Sequence, residues 1–84
     1  MARQGWSVYI LECADATLYT GVARDLARRL TAHADGRAAR YTRTRRPVRL
    51  VYHEPHPTRG SALRREAALK RLPRREKLAV ISGA

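Results

Sequence analysis

An 84-residue chain with 44% apolar and 30% charged residues reads as one small domain, 1–84, and excludes both a disordered tail and a separate regulatory domain. No apolar run exceeds four residues, as at Val8-Tyr9-Ile10-Leu11, so neither a membrane span nor a signal-peptide core is present in it; the single cysteine forms no internal disulfide and suits a reducing, cytoplasmic setting. Eighteen Lys and Arg against seven Asp and Glu leave +11, a field that draws polyanions. Nucleic acid is the expected partner, ahead of an acidic protein or an anionic membrane surface.

Trp6, Val8 and Ile10 alternate with Ser7, Tyr9 and Leu11, which predicts a half-buried strand over residues 6–12. Cys13-Ala14-Asp15-Ala16 makes a turn, and residues 17–22 return as the second strand of a hairpin. Asp25 can cap a helix running to about residue 35, with Leu26, Leu30 and Ala34 on one stripe and Gly36 as its stop. Residues 37–46 hold five arginines and no acid, which predicts an exposed basic loop. A third strand covers residues 48–54, with Val48, Leu50 and Tyr52 alternating until Pro55 and Pro57 end it. Ser61 opens a second helix over residues 61–72, Pro73 breaks it, and residues 74–81 form a short last helix. The order β-β-α-β-α-α predicts an α+β domain, a small three-stranded antiparallel sheet flanked by helices.

Few residues stand out for chemistry. Tyr9 and Tyr19 share strand parity, and a turn centred on Ala14 sets them nearly opposite each other; a packing pair gives the same pattern. Arg29 and His33, one helical turn apart, border the Leu26/Leu30 stripe and read equally as solvated edge residues. Glu66 enters the apolar face formed by Ala62, Leu63 and Leu69, where a carboxylate needs a cation or strong donors. Lys70, four residues on, offers an ordinary ion pair as the alternative to a metal or catalytic role. His33, His53, His56 and Cys13 match no zinc spacing.

Taken in order, Val8-Tyr9-Ile10, Tyr19-Thr20-Gly21, Asp25-Leu26-Ala27-Arg28-Arg29-Leu30 with His33, and Leu63-Arg64-Arg65-Glu66-Ala67 resemble the GIY-YIG nuclease superfamily. Ala39-Arg40-Tyr41-Thr42-Arg43 with Arg45-Arg46-Pro47-Val48, and Lys70-Arg71-Leu72, resemble its small stand-alone bacterial branch (YhbQ-like). The likeness runs from about residue 6 to 81. It implies phosphodiester cleavage dependent on one magnesium or manganese ion, with DNA, single-stranded or branched, placed ahead of RNA. Relatives act in DNA repair, homing and restriction, where further domains supply targeting.

By the same resemblance Tyr9 and Tyr19 are the two motif tyrosines, Arg29 the active-site arginine, Glu66 the lone metal ligand and His33 a supporting site residue. Val8-Tyr9-Ile10 departs from the literal Gly-Ile-Tyr wording, and Val22 stands where some members carry lysine. Tyr9, with a reference phenol pKa near 10, would position or deprotonate water if nearby cations lower that value. Arg40, Arg43, Arg45 and Arg46, interleaved with Tyr41 as a stacking face, suit a groove that tracks a nucleic-acid strand, with Lys70 as a further contact. A non-catalytic nucleic-acid-binding module is the alternative, since the net charge serves both.

Overall fold

β1 (Trp6–Glu12), β2 (Leu18–Ala23) and β3 (Arg49–His56) form one antiparallel sheet in the order β2-β1-β3 in the computed structural model, which describes residues 5–83. Helices α1 (Leu26–Ala34), α2 (Arg40–Arg43), α3 (Arg59–Lys70) and α4 (Arg74–Ser82) complete it. The α+β class and the β-β-α-β-α-α order hold, with the one-turn α2 added before β3.

The first strand in the chain is the middle one in space, and helices pack on both its faces. Val8, Tyr9, Ile10 and Leu11 are all fully buried, which corrects the half-buried reading of this strand. On one face Val8 and Ile10 pack with Ala62 and Leu69 of α3, joined by Val80 and Ile81 of α4. On the other, Tyr9, Leu11 and Ala23 pack with Leu26 and Leu30 of α1. Burying a Leu- or Ile-sized side chain is worth about 1.5–3 kcal/mol, so this doubly covered strand anchors the domain.

Within the hairpin, Tyr9 faces Gly21 and Leu11 faces Tyr19, so the turn centres on Asp15 and not on Ala14. The two tyrosines are therefore diagonal neighbours on one face, not opposite partners. Asp15 sets this turn by accepting from the Thr17 N–H and hydroxyl at 3.1 and 2.6 Å, and Ala16 takes the left-handed φ of 71°.

The third strand begins at Arg49 and continues through Pro55 to His56, later at both ends than the pattern suggested. A proline is tolerated there because β3 is an edge strand, where a missing N–H need not break a ladder. A register shift at Ile10/Leu11 interrupts the alternation expected of Val48, Leu50 and Tyr52. Val48 and Leu50 pack on the Tyr9 face, whereas Val51 and Tyr52 pack on the Val8 face.

Asp25 caps α1 as expected, its Oδ1 accepting from the Arg28 N–H at 3.0 Å, and Gly36 leaves the helix at φ 78°. Ala34, expected on the buried stripe, is exposed, while His33 is fully buried. Helix α3 starts two residues before Ser61, because Thr58 caps it by accepting from the Ser61 N–H at 3.1 Å. Freed from capping, the Ser61 hydroxyl meets His56 Nδ1 at 2.6 Å. Glu54 accepts from Tyr52, from His56 Nε2 at 2.6 Å and from Arg65 Nε at 2.9 Å. This polar brace ties the end of β3 to α3 and so fixes the helix that carries Glu66.

Candidate active site

The loop between α1 and β3 folds back on the sheet rather than standing clear in solvent. Its α2 packs on α1 and brings Thr42, fully buried, under His33, which corrects the fully exposed reading of residues 37–46. The Thr42 hydroxyl donates to the Ala39 carbonyl at 3.3 Å and meets His33 Nδ1 at 2.8 Å. Assigning the hydroxyl hydrogen to that carbonyl puts the imidazole proton on Nδ1. Nε2 is then an acceptor, and the Tyr9 hydroxyl lies 2.8 Å from it. In that assignment the network runs from Tyr9 O–H to His33 to Thr42 to the Ala39 carbonyl.

Electrostatics reinforce this direction. Burial, and secondarily the Arg29 charge, hold His33 below the ordinary imidazole value of 6.5, so it is neutral and able to accept at pH 7. Burial pushes the Tyr9 phenol up to about 12; Tyr19 adds to this, and Arg29 works against it. The expectation that nearby cations lower Tyr9 is therefore corrected, because desolvation outweighs the guanidinium. At rest Tyr9 is a neutral phenol.

Gly21 explains how the phenol reaches its place. A Cβ on Gly21 would lie 2.5 Å from the Tyr9 oxygen and 2.6 Å from Cζ, so the ring crosses directly over the glycine facing it in the hairpin. Tyr19 lies beside the same imidazole, ring centroids 5.4 Å apart and edge-on.

Tyr9, Tyr19 and Arg29 belong to the α1 face, whereas Glu66 and Leu63 come from α3 on the opposite face. All five nevertheless line one open cleft of about 370 Å³, together with Trp6, Gly21, Val22 and Arg59. The cleft passes around the β2 edge of the sheet, where Gly21 contributes no side chain. Glu66 is mostly covered and pairs with Lys70 Nζ at 3.3 Å, so the i,i+4 pair considered from the sequence exists, with its carboxylate partner in the cleft wall.

The donor set limits which ion could sit there. Among the described residues no three His, Cys, Asp or Glu side chains come together, so a caged soft metal has no seat. One hard carboxylate facing an open cleft does fit a magnesium- or manganese-like cation, which keeps most of its water and takes its remaining oxygen ligands from a phosphate.

The basic residues of the 37–46 segment are differently occupied. Tyr41 stacks on Tyr19 at 5.9 Å, and the Arg45 guanidinium covers its ring at 3.8 Å. Arg45 also donates to Asp15 Oδ2 at 3.1 Å and the Tyr41 carbonyl at 3.0 Å. Arg46 donates to the Arg43 and Ala34 carbonyls, both at 3.1 Å, helping to close the end of α1. Tyr41 and Arg45 thus brace α2 against the hairpin and Arg46 ties it to α1, while Arg40 and Arg43 remain exposed. Sequence reasoning missed Thr42, since nothing local shows that a threonine nine residues beyond His33 lies beneath it.

The sequence model described as the GIY-YIG catalytic domain matches residues 5–79. The UPF0213 protein DP2720 of Desulfotalea psychrophila is 51% identical over 83 residues, 98% of this chain and 76% of that protein. UPF0213 protein SSP2268 of Staphylococcus saprophyticus is 47% identical, over 89% of this chain and 92% of its own length. Among solved structures, the solution NMR structure of UPF0213 protein BH0048 from Bacillus halodurans superposes with a TM-score of 0.61 at 45% identity, covering 93% of this chain and 83% of that one. That of EF2693 from E. faecalis gives 0.64 at 35% identity, covering 96% and 85%. A family match over this much of the fold, with both motif strands paired in the sheet, places the chain in the GIY-YIG nuclease family, among the small bacterial UPF0213 proteins.

Proposed function

We infer that this chain hydrolyses phosphodiester bonds of nucleic acid, DNA ahead of RNA, with the help of one bound Mg2+ or Mn2+. The observation that carries the reading is the Tyr9–His33 hydrogen bond of 2.8 Å at the wall of a cleft that Arg29 and Glu66 also line.

A phenol held near pKa 12 is a poor base taken alone. Coupled to a neutral imidazole it need not ionise first: once substrate binding uncovers its hydroxyl, which has no exposed surface at rest, Tyr9 takes the proton of an attacking water on its oxygen as its own proton passes to His33 Nε2. The imidazolium so formed is disfavoured by burial and by Arg29, so after the bond from phosphorus to the leaving oxygen breaks, His33 returns its proton to Tyr9 as the phenol releases one to solvent water. Arg29 presents a fork to the non-bridging oxygens as their charge grows. Tyr19 packs against His33 and positions this pair. Glu66 would hold the cation, which supplies charge neutralisation at the leaving oxygen, and Lys70 must then yield its place beside that carboxylate.

The test is cleavage of labelled single-stranded, duplex, flap and junction substrates by the purified chain with magnesium, manganese or EDTA. Metal-dependent cutting of at least one substrate, lost in EDTA, is expected. Tight binding without cutting under any of these conditions would instead favour the non-catalytic binding module.

A further inference from the structure

Next to the cleft lies a second hollow, of about 510 Å³, within the ~300–1,000 Å³ typical of small-ligand sites. Trp6 and Arg29 line both hollows, so the two adjoin across these residues. The rest of the second hollow comes mainly from the β2–α1 junction and the exposed side of α1, with Arg24, Asp25, Arg28 and Arg37 in its wall.

Four arginines therefore line one cavity. The only carboxylate among them, Asp25, has Oδ1 committed to the α1 cap. Arg24, Arg28 and Arg29 take part in no ion pair among the described residues, and Arg37 is held only by the solvent-exposed Asp35, at 3.0 Å, a pair of little net worth. Elsewhere Arg45, Arg49, Arg65 and Lys70 are each spent on an acid of the fold.

The hollow also has an aromatic wall. Arg24 and Arg59 each approach the half-buried Trp6 ring to 6.0 Å from its centroid. An indole with guanidiniums around it suits a nucleobase, which stacks on such a surface whatever its identity, while the forks take the phosphate.

We propose that this hollow is a subsite for the nucleotide adjoining the scissile phosphate, its base on Trp6 and its phosphate on Arg24, Arg28 and Arg37. The assignment rests on the nuclease reading in one respect, that Arg29 touches the scissile phosphate, so a strand passing Arg29 enters this hollow next.

Trp6 is the only tryptophan of the chain, so its fluorescence reports the subsite directly. The full chain carrying Glu66→Gln, which should not cut, is titrated with a thymidine octanucleotide and with an abasic oligomer of equal length and charge, binding being measured independently by calorimetry. The octanucleotide should quench Trp6 fluorescence by a third or more at saturation, and the abasic oligomer should bind with little quenching. Arg24→Ala combined with Arg28→Ala, both on the surface, should raise Kd at least about tenfold and flatten the log–log salt slope by about 1.4, the value for two lost phosphate contacts on a single strand. Saturated octanucleotide binding without quenching, or an unchanged Kd and slope in the double variant with its circular dichroism intact, overturns the subsite. Cleavage by the unsubstituted chain separates the two claims. Cutting without quenching defeats the subsite and leaves the nuclease reading standing, whereas Arg-dependent quenching without metal-dependent cutting upholds the hollow as a nucleotide-binding site and defeats the nuclease reading, and with it the placement beside a scissile phosphate.

Discussion

The Tyr9 hydroxyl and His33 Nε2 lie 2.8 Å apart across 24 residues of chain; with the Thr42 hydroxyl spent on the Ala39 carbonyl, the imidazole is assigned as the acceptor. A packed aromatic pair would need no such direction. Tyr9→Phe keeps the ring and its packing and removes only the oxygen. It should cost cleavage at least about tenfold, or about 1.4 kcal/mol of transition-state stabilisation, and about 1 kcal/mol of stability, because the buried His33 Nε2 loses its partner. Tyr19→Phe should cost less. Single-turnover rates with parallel melting curves check both, and normal rates in both variants would leave the two tyrosines as structural residues.

Thr42 should act through His33. Thr42→Val preserves shape but strands the Nδ1–H in a buried place, at about 1–2 kcal/mol of stability. The imidazole can then move its proton to Nε2, where it no longer accepts from Tyr9. Cleavage at neutral pH should fall about tenfold, and Thr42→Ser should restore most of it. Nitrogen NMR of the imidazole reads the tautomer itself. An Nε2-protonated His33 in the unsubstituted chain would dismiss this role.

Glu66→Gln should abolish metal-dependent cleavage while the fold and most nucleic-acid binding remain, since Gln keeps the volume and loses the charge that holds a hard cation. Cleavage rates over a magnesium titration check it. Full activity in the Gln variant would reduce Glu66 to its pair with Lys70.

Gly21→Ala tests the close approach of the phenol. The added methyl would sit 2.5 Å from the Tyr9 oxygen, so either the ring or the hairpin must shift. A loss of about 1–3 kcal/mol of stability is expected for such overpacking, together with loss of cleavage. A variant that melts and cuts like the unsubstituted chain would contradict the observed placement of Tyr9.

Stability should fall with acid in two stages. His33 stays neutral in the fold to below 6.5, whereas the unfolded chain takes up its proton near that value. The unfolded state therefore binds more protons there, and stability declines as pH drops below about 6.5. The carboxyl of Glu54 is held below its ordinary 4.5 although burial opposes this, because hydrogen bonds from Tyr52, His56 and Arg65 outweigh it. Its contribution is present above 4.5 and lost as pH falls through the lower folded value. Melting curves from pH 8 to 3 should show both declines, and Glu54→Gln should remove the second.

The strands, the Asp25 cap and the three longer helices were legible from the sequence because periodicity and capping are local. The doubly buried state of β1 was not, since Val8-Tyr9-Ile10-Leu11 alternates identically whether one face or both are covered; the docking of helices on both faces of the sheet decided it. The register that sets Tyr9 over Gly21 required the Asp15-centred turn, and a one-residue error in the turn was enough to misplace the tyrosine pair. Arg29 and Glu66 could be singled out as residue types, yet they come from helices on opposite faces of the sheet and approach one cleft only around the β2 edge. The proton order of Tyr9, His33 and Thr42 likewise belongs to the tertiary structure. Which nitrogen of His33 is free to accept depends on a hydroxyl delivered by a separate segment of chain, and desolvation, a property of the packed fold, sets the charge state of both partners.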